Sequence, residues 1–412
     1  MKTLTRPSGL KNVDGRATRN PSLVCVDKGR NKQRISSLPK RPDAVAGSFI
    51  SGNKVGREPW RRVSVSQWSD WKWQFRNRVR TPMQLSAIMN EPLLSSQQYR
   101  SVVRTYPMAV TPYYLSLLDA AGESDPLRRQ CFPDVRELDH SLGDVDDPLD
   151  EERAMPVPGL IYRYPDRCLA IVTSVCAVNC RHCNRKRMWR GKKRSPGTRE
   201  WLQTMVDHVA RTPALREVII SGGDPLLLPE SLLDWFLGVL RAIPHVEVLR
   251  IGSRAPVTLP MRITPELCAM LKRYRPLWFN TQFNHAREIT VESTRACEML
   301  LTAGIPVSNQ SVLLKGVNDD YETMRNLLYG LERISVRPYY LFQCDPVCGV
   351  NHFRAEVFRG MEIMDKLWHN ISGLCLPRYV LDSPGGRGKI SLQPFSLLPE
   401  REAVANNILL TR

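Results

Sequence analysis

Between residues 168 and 345 short runs of β-branched and other apolar residues alternate with longer amphipathic stretches. "CLAIVTSVC", "LREVIISGGDPL", "VEVLRIGSRAP", "LWFNTQFNH", "IPVSNQSVLL" and "VRPYYLFQCDP" are separated by segments such as "ESLLDWFLGVLRAI" and "TPELCAMLKRY". Strand-length runs that each give way to helical periodicity predict six β/α units in series, and therefore a parallel sheet covered by its crossovers. The expected class is α/β, a barrel or most of one. Polar residues gather where the predicted strands end: Ser221, Gly222, Gly223 and Asp224 after the second, Ser253 and Arg254 after the third, Asn280, Gln282 and His285 after the fourth. Asn309 and Gln310 follow the fifth, and Gln343 and Asp345 the sixth. In a β/α barrel the C-terminal strand ends and their loops build the site, so these groups should converge on one mouth.

The chain upstream reads differently. "WSDWKWQFRNRVRTPMQL" spaces Trp68, Trp71 and Phe75 three and four apart, which predicts one helix docked by an aromatic face, with Arg76, Arg78 and Arg80 reaching water. Helix-like pieces continue to about residue 155, broken by "YPMAVTPYY" and by an acidic linker, "LGDVDDPLDEE". Residues 1 to about 58 are rich in Lys, Arg, Ser, Asn, Gly and Pro, a composition that buries too little apolar surface to order itself, and a flexible tail is expected there. Of the net charge of +18, +14 falls in residues 1–80, where 19 Lys/Arg stand against 5 Asp/Glu. A basic tail is compatible with contact to nucleic acid or another anionic surface, or with an organellar transit peptide, and none of these defines a chemistry. No stretch approaches the run of about 18 apolar residues that spans a membrane, and a cytoplasmic location is expected. The 412 residues suffice for a full enzyme core. Eleven cysteines scattered without secretory features predict thiols, not disulfides.

Three of those cysteines are not scattered. "SVCAVNCRHCNRKR" puts Cys176, Cys180 and Cys183 within eight positions and follows them with Arg185, Lys186 and Arg187. A structural zinc site needs four protein ligands, and no nearby Cys or His pair at zinc-finger spacing completes the set. A disulfide would strand one thiol. An iron–sulfur cluster with one iron left open to a small-molecule ligand fits three thiolates on a short loop.

The spacing C-x3-C-x2-C, with His182 as the ring before the third cysteine, resembles the signature of the radical S-adenosylmethionine (SAM) superfamily. The likeness narrows to the lysine 2,3-aminomutases over roughly residues 60–395, through "YRYPDR", "CRHCNRKR", "SGGDPLL", "RIGSRAPV", "NTQFNH", "NQSVLLKGVND", "HFR" and "DSPGGRGK". It implies a partial (β/α)6 TIM-type radical SAM barrel at 161–375, preceded by a flexible basic tail at 1–58 and a helical region at 59–160. A segment at 376–412 would carry a lysine for pyridoxal 5'-phosphate (PLP).

The resemblance also implies roles. Cys176, Cys180 and Cys183 would ligate a [4Fe-4S] cluster whose open iron takes the amino and carboxylate groups of SAM. Ser221, Gly222, Gly223 and Gln310 would lie against SAM. In "LDSPGGRGKI", a nucleotide P-loop would need Gly where Ser383 stands and Ser or Thr where Ile390 stands. The family likeness instead makes Lys389 the lysine that anchors PLP, with Arg163, Tyr164 and Arg167 around the cofactor and its phosphate. Arginine supplies the forked donors a phosphate takes. Asp345 and Asp382 match the carboxylates that hold the distal ammonium of lysine, and Arg185 the partner of its α-carboxylate.

The implied activity is a 1,2-amino shift on a free basic L-amino acid, L-lysine to β-lysine, with arginine the alternative because guanidinium also pairs with two carboxylates. Two acids would repel glutamate. A lysine carried on a translation factor and a nucleic-acid substrate are further alternatives. An electron donor such as flavodoxin or ferredoxin and a homo-oligomer are expected. The chain departs from the family at Gln282, where His is common, and at Asn184, where Thr is usual. It has no cysteine after Cys375, so no structural zinc is expected at its C-terminal end.

Overall fold

A computed structural model of the chain describes residues 59–118, 122–139, 143–189, 197–383, 385 and 388–393. The expected flexible tail at 1–58 and the stretch after Gln393 lie outside the described residues. Nine strands form one sheet in chain order: β1 (Leu160–Tyr164), β2 (Arg167–Thr173), β3 (Glu217–Gly222), β4 (Val248–Gly252), β5 (Leu277–Thr281), β6 (Val307–Leu313), β7 (Arg337–Gln343), β8 (Arg378–Asp382) and β9 (Lys389–Ser391). From β2 to β8 every neighbouring pair is parallel. The crossovers carry helices Arg199–Ala210, Glu230–Arg241, Pro265–Lys272, Val291–Thr302, Tyr321–Arg333 and Val357–Asn370. The expected β/α units are therefore present, and the sheet is an open one.

Three strands were not expected. "RYVLD" forms a further parallel strand, β8, and the edges are antiparallel hairpins, β1 with β2 and β8 with β9. The expected boundary at 160/161 falls inside β1, and β8 carries the sheet past 375. These runs are short and mixed in polarity, so only pairing to an existing edge makes them strands.

Period-2 alternation splits the strands between two environments. On β3, Val218 and Ile220 are fully buried against the helices, while Ile219 and Ser221 face an internal cavity. The helices present the complementary stripe: Leu233, Phe236, Leu237 and Leu240 of Glu230–Arg241 follow the i, i+3, i+4, i+7 pattern and are buried. None of the described helices is long and apolar enough to cross a membrane.

The aromatic stretch near 70 is two helices, Val65–Ser69 and Trp71–Arg76, because Asp70 caps the second by accepting from the backbone N–H of Lys72 at 2.8 Å. Trp68 packs against Trp60 and Trp73, whereas Trp71 lies under the guanidinium of Arg262. Arg78, expected to reach water, is only partly exposed. It stacks on Phe75 and donates to the carbonyl oxygen of Cys176. The supposed acidic linker is also docked: Val145 bridges to Val347, and its carboxylates pair with basic side chains of other loops.

Candidate active site

Every residue singled out above for the cluster, SAM, PLP or substrate lines one cavity of about 570 Å³ at the C-terminal ends of the parallel strands. Asn280, Gln282 and Gln343 join them there, but His285 and Asn309 do not. His285 accepts from the N–H of Arg287 and caps a turn, and Asn309 holds the backbone of Phe283.

The cysteine loop leaves β2 and is fastened from behind. Asn179 and Arg181 donate their backbone N–H groups to the carbonyls of Ala109 and Gln130. The buried guanidinium of Arg181 and ammonium of Lys186 share one carboxylate, Glu137, at 2.6 and 2.7 Å. Burial lifts the Glu137 carboxyl, but the two cations hold it below its ordinary value. Arg254, at the end of β4, donates to the sulfur of Cys180 at 2.7 Å and is held by Glu288, Gln130 and the carbonyl of Gln282. The His182 ring meets Asn284 at 3.3 Å and stands edge-on to Phe353.

All ten described cysteines are free thiols. Burial pushes the Cys183 thiol up to about 11 and also lifts the Cys176 thiol well above its ordinary value, a cost that binding to iron offsets because the metal takes the thiolate. Among the described residues no three His, Cys, Asp or Glu groups close round a single metal ion. A cubane cluster takes each thiolate on a different iron, and so asks for three thiols on one wall, not one closed shell. The donor set fits that group.

Gly222 and Gly223 end β3 against the chain itself. A Cβ on Gly222, whose φ is +122°, would stand 2.4 Å from the carbonyl oxygen of Thr173, and one on Gly223 2.4 Å from that of Val175. The glycines therefore let β3 pack onto the start of the cysteine loop, with Gly223 and Asp224 donating to those carbonyls. Asp224 in turn accepts from the hydroxyl of Ser253 at 2.8 Å.

At the other end of the cavity the two edge hairpins meet. Lys389 lies opposite Asp382 in the β8–β9 register and donates to its carboxylate at 3.1 Å, while the Tyr164 hydroxyl of β1 is 3.4 Å away. The rings of Tyr340 and Phe342 flank the same ammonium. Arg167 stacks on Tyr164, and Arg163 lines the same wall. The hairpin turn needs glycine at Gly388, where φ is +104°.

Asp345 lines the same cavity from the loop just past β7. Burial first, and then the nearby Asp382 carboxylate, push its carboxyl up to about 7, against the pull of the Asn184 amide that donates to it at 3.0 Å. Arg185 is locked onto Glu151, its terminal nitrogen 2.7 Å from the carboxylate, and Arg187 donates to the same group. Although burial lifts it, these guanidiniums hold Glu151 down at about 2. Glu151, Glu137 and the rings of Tyr340 and Phe342 were missed by sequence reasoning. The one signal that could have found the first is the acidic stretch at 144–152, which sequence reading took for a linker and which pairs with the basic run at 185–187.

This arrangement brings together three clustered cysteine thiols, a lysine ammonium and two neighbouring carboxylates at one end of a parallel α/β sheet. The family model of the Radical SAM superfamily matches residues 170–328, and the fold and site are those of a radical SAM enzyme. The chain is 47% identical over 337 residues to L-lysine 2,3-aminomutase of Clostridium subterminale, covering 82% of this chain and 81% of the relative. It is 48% identical over 332 residues to L-lysine 2,3-aminomutase of Acetoanaerobium sticklandii, with 81% and 80% covered. Glutamate 2,3-aminomutase of Clostridioides difficile is 41% identical over 331 residues, with 80% and 78% covered. The chain belongs to the lysine 2,3-aminomutase family, whose members are isomerases.

Proposed function

We propose that the protein is a PLP-dependent radical SAM aminomutase that moves the α-amino group of free L-lysine to Cβ. The observation that carries this reading is the contact of Asp382 with Lys389 beside Asp345. The Lys389 ammonium is the same chemical group as the distal end of a lysine substrate, so Asp382 already holds, beside Asp345, the kind of group the two would bind. An acidic substrate would meet two like charges there.

Cys176, Cys180 and Cys183 hold a [4Fe-4S] cluster, and Ser221, Gly222, Gly223 and Gln310 line the space for SAM. When bound, SAM at the cluster supplies a primary carbon radical, and PLP supplies the carbon through which nitrogen passes between neighbouring positions. Lys389 would be the amine that holds PLP, and an ammonium so engaged would leave the Asp382 carboxylate to the substrate's distal ammonium. Arg163 and Arg167 offer forked donors to the phosphate, with Tyr164 stacked beneath Arg167. Arg185, aimed by Glu151, takes the α-carboxylate. The walls of Tyr340, Phe342 and the closing edge hairpins keep water from reactive carbon. Reduction comes from a flavodoxin or ferredoxin, and the enzyme acts as a homo-oligomer in the cytoplasm.

The test is anaerobic reconstitution with iron, sulfide, PLP and SAM, followed by separate incubation with L-lysine, L-arginine and L-glutamate and chromatographic separation of α- from β-amino isomers. Lysine should isomerise. Turnover of arginine or glutamate in preference to lysine would overturn the assignment of the carboxylate pair.

A further inference from the structure

A second cavity of about 600 Å³ opens at Arg129, Arg136, Lys315, Gly316, Asp319, Asn351 and His352. Its charge is predominantly positive. Arg136 pairs with Asp134 and Asp319 accepts from the N–H of Gly316, whereas Lys315 is exposed. The guanidinium of Arg129 packs against Gly316, and its Nε is buried without a hydrogen-bond partner.

This cavity is joined to the first by rings. His352 lines the second cavity and stacks on Phe353 at 4.3 Å between centroids; Phe353 is buried and meets His182 edge-on at 6.0 Å; and His182 lines the first cavity between Cys180 and Cys183. Phe353 is thus packed between His352 of the basic outer hollow and the His182 ring of the cysteine loop. The same loop is tied to this wall by Lys186, which donates to the carbonyl of Gly349 at 2.6 Å. The "HFR" motif, which no catalytic role had absorbed, supplies the bridge.

We propose that this hollow is the docking site of an acidic one-electron carrier protein, which reduces the cluster through the wall formed by His352, Phe353 and His182. The inference rests on the cluster reading given above. One electron leaves the carrier and enters the cluster, and no bond is made or broken. A positive hollow selects an acidic partner and speeds its encounter, and the shortest packed route inward is the ring contact. Small reductants need no such docking.

The test compares the cluster-loaded enzyme with Lys315→Glu, Arg129→Gln and Phe353→Leu variants. Cluster reduction is followed by visible absorbance and electron paramagnetic resonance, with reduced flavodoxin or with dithionite, and binding of labelled flavodoxin is measured separately. Lys315→Glu, at an exposed position, should weaken binding and slow flavodoxin-driven reduction by about tenfold at low ionic strength, and the difference should vanish in high salt. Arg129→Gln should do the same. Phe353→Leu should bind flavodoxin normally and accept its electron more slowly. Reduction by dithionite should match the parent in the two charge variants. Equal flavodoxin rates and affinities in parent and charge variants would overturn the docking site. Failure of the parent to take up iron and sulfide with the visible absorbance of a cluster would instead overturn the cluster reading, while the binding measurement still decides the docking site.

Discussion

Arg254 aims one guanidinium nitrogen at the sulfur of Cys180, 2.7 Å away, and four further contacts from Glu288, Gln130, Tyr114 and the Gln282 carbonyl hold it there. A fixed cation beside a cluster sulfur stabilises the reduced, more negative cluster, because hydrogen bonds to sulfur and nearby charge set such potentials. Arg254→Gln should shift the potential to a more negative value, and Arg254→Lys should retain part of the effect. A redox titration read by electron paramagnetic resonance, normalised to iron content, checks this. An unchanged potential in the glutamine variant would deny the guanidinium any electrostatic role.

Lys389→Ala should lose the visible absorbance of bound PLP and all amino transfer, while iron and sulfide content stay at parental levels. The cysteine wall and the β8–β9 hairpin are separate parts of the cavity, so the two losses should not travel together. Turnover by this variant without an added amine would refute the anchor.

Asp345 gives a pH signature. Its carboxyl is pushed up to about 7, first by burial and then by Asp382, so the charge that attracts an ammonium develops as pH rises through about 7. The KM for lysine should fall between pH 6 and 8. Asp345→Asn should remove that slope and raise KM by roughly 100-fold, equivalent to about 3 kcal/mol. A group whose folded value is raised contributes stability below its unfolded value that is lost as pH climbs through the folded one. The ligand-free Asn variant should therefore be more stable than the parent at pH 8, by ~1–3 kcal/mol, and no more stable at pH 4. Thermal melts at the two pH values decide it.

Glu137 is the single carboxylate for two buried cations, Arg181 and Lys186. Glu137→Gln should cost about 3–5 kcal/mol, because both charges lose their partner inside the protein. The exposed Glu200→Gln change should leave the denaturant midpoint close to the parental value by the same titration.

Gly223→Ala should fail for a steric reason alone. Its Cβ would stand 2.4 Å from one backbone atom of Val175 and 2.6 Å from another, and backbone cannot yield as a side-chain tip does. A loss of about 1–3 kcal/mol is expected, together with incomplete iron loading. Gly385→Ala, where nothing among the described residues lies within 4 Å but φ is +67°, should cost only about 1 kcal/mol of backbone strain.

The series of β/α units was legible in the chain because apolar runs of strand length alternate with helical stripes, and each is a local pattern. So were the cysteine triplet and the glycine-flanked Lys389, since a short motif keeps its ligands or turn residues within a few positions. Sequence position also sufficed to bring Ser221, near the end of β3, and Asp345, just past β7, to one cavity, whereas Gln310, expected after its strand, reaches that cavity from inside β6 because the strand runs on to Leu313. Tertiary structure alone decided what those local patterns could not contain. "RYVLD" became a strand because β7 offered an unpaired edge. The aromatic stretch near 70 broke in two because Asp70 capped the second turn. Arg78 turned inward because the carbonyl of Cys176 lay within reach. The acidic residues at 144–152 read as a linker, yet they are partners for Arg185, Arg187 and Arg354. Charge pairing and edge pairing depend on which distant segments the sheet brings side by side, and a one-dimensional pattern carries the valence of each group without the identity of its neighbour.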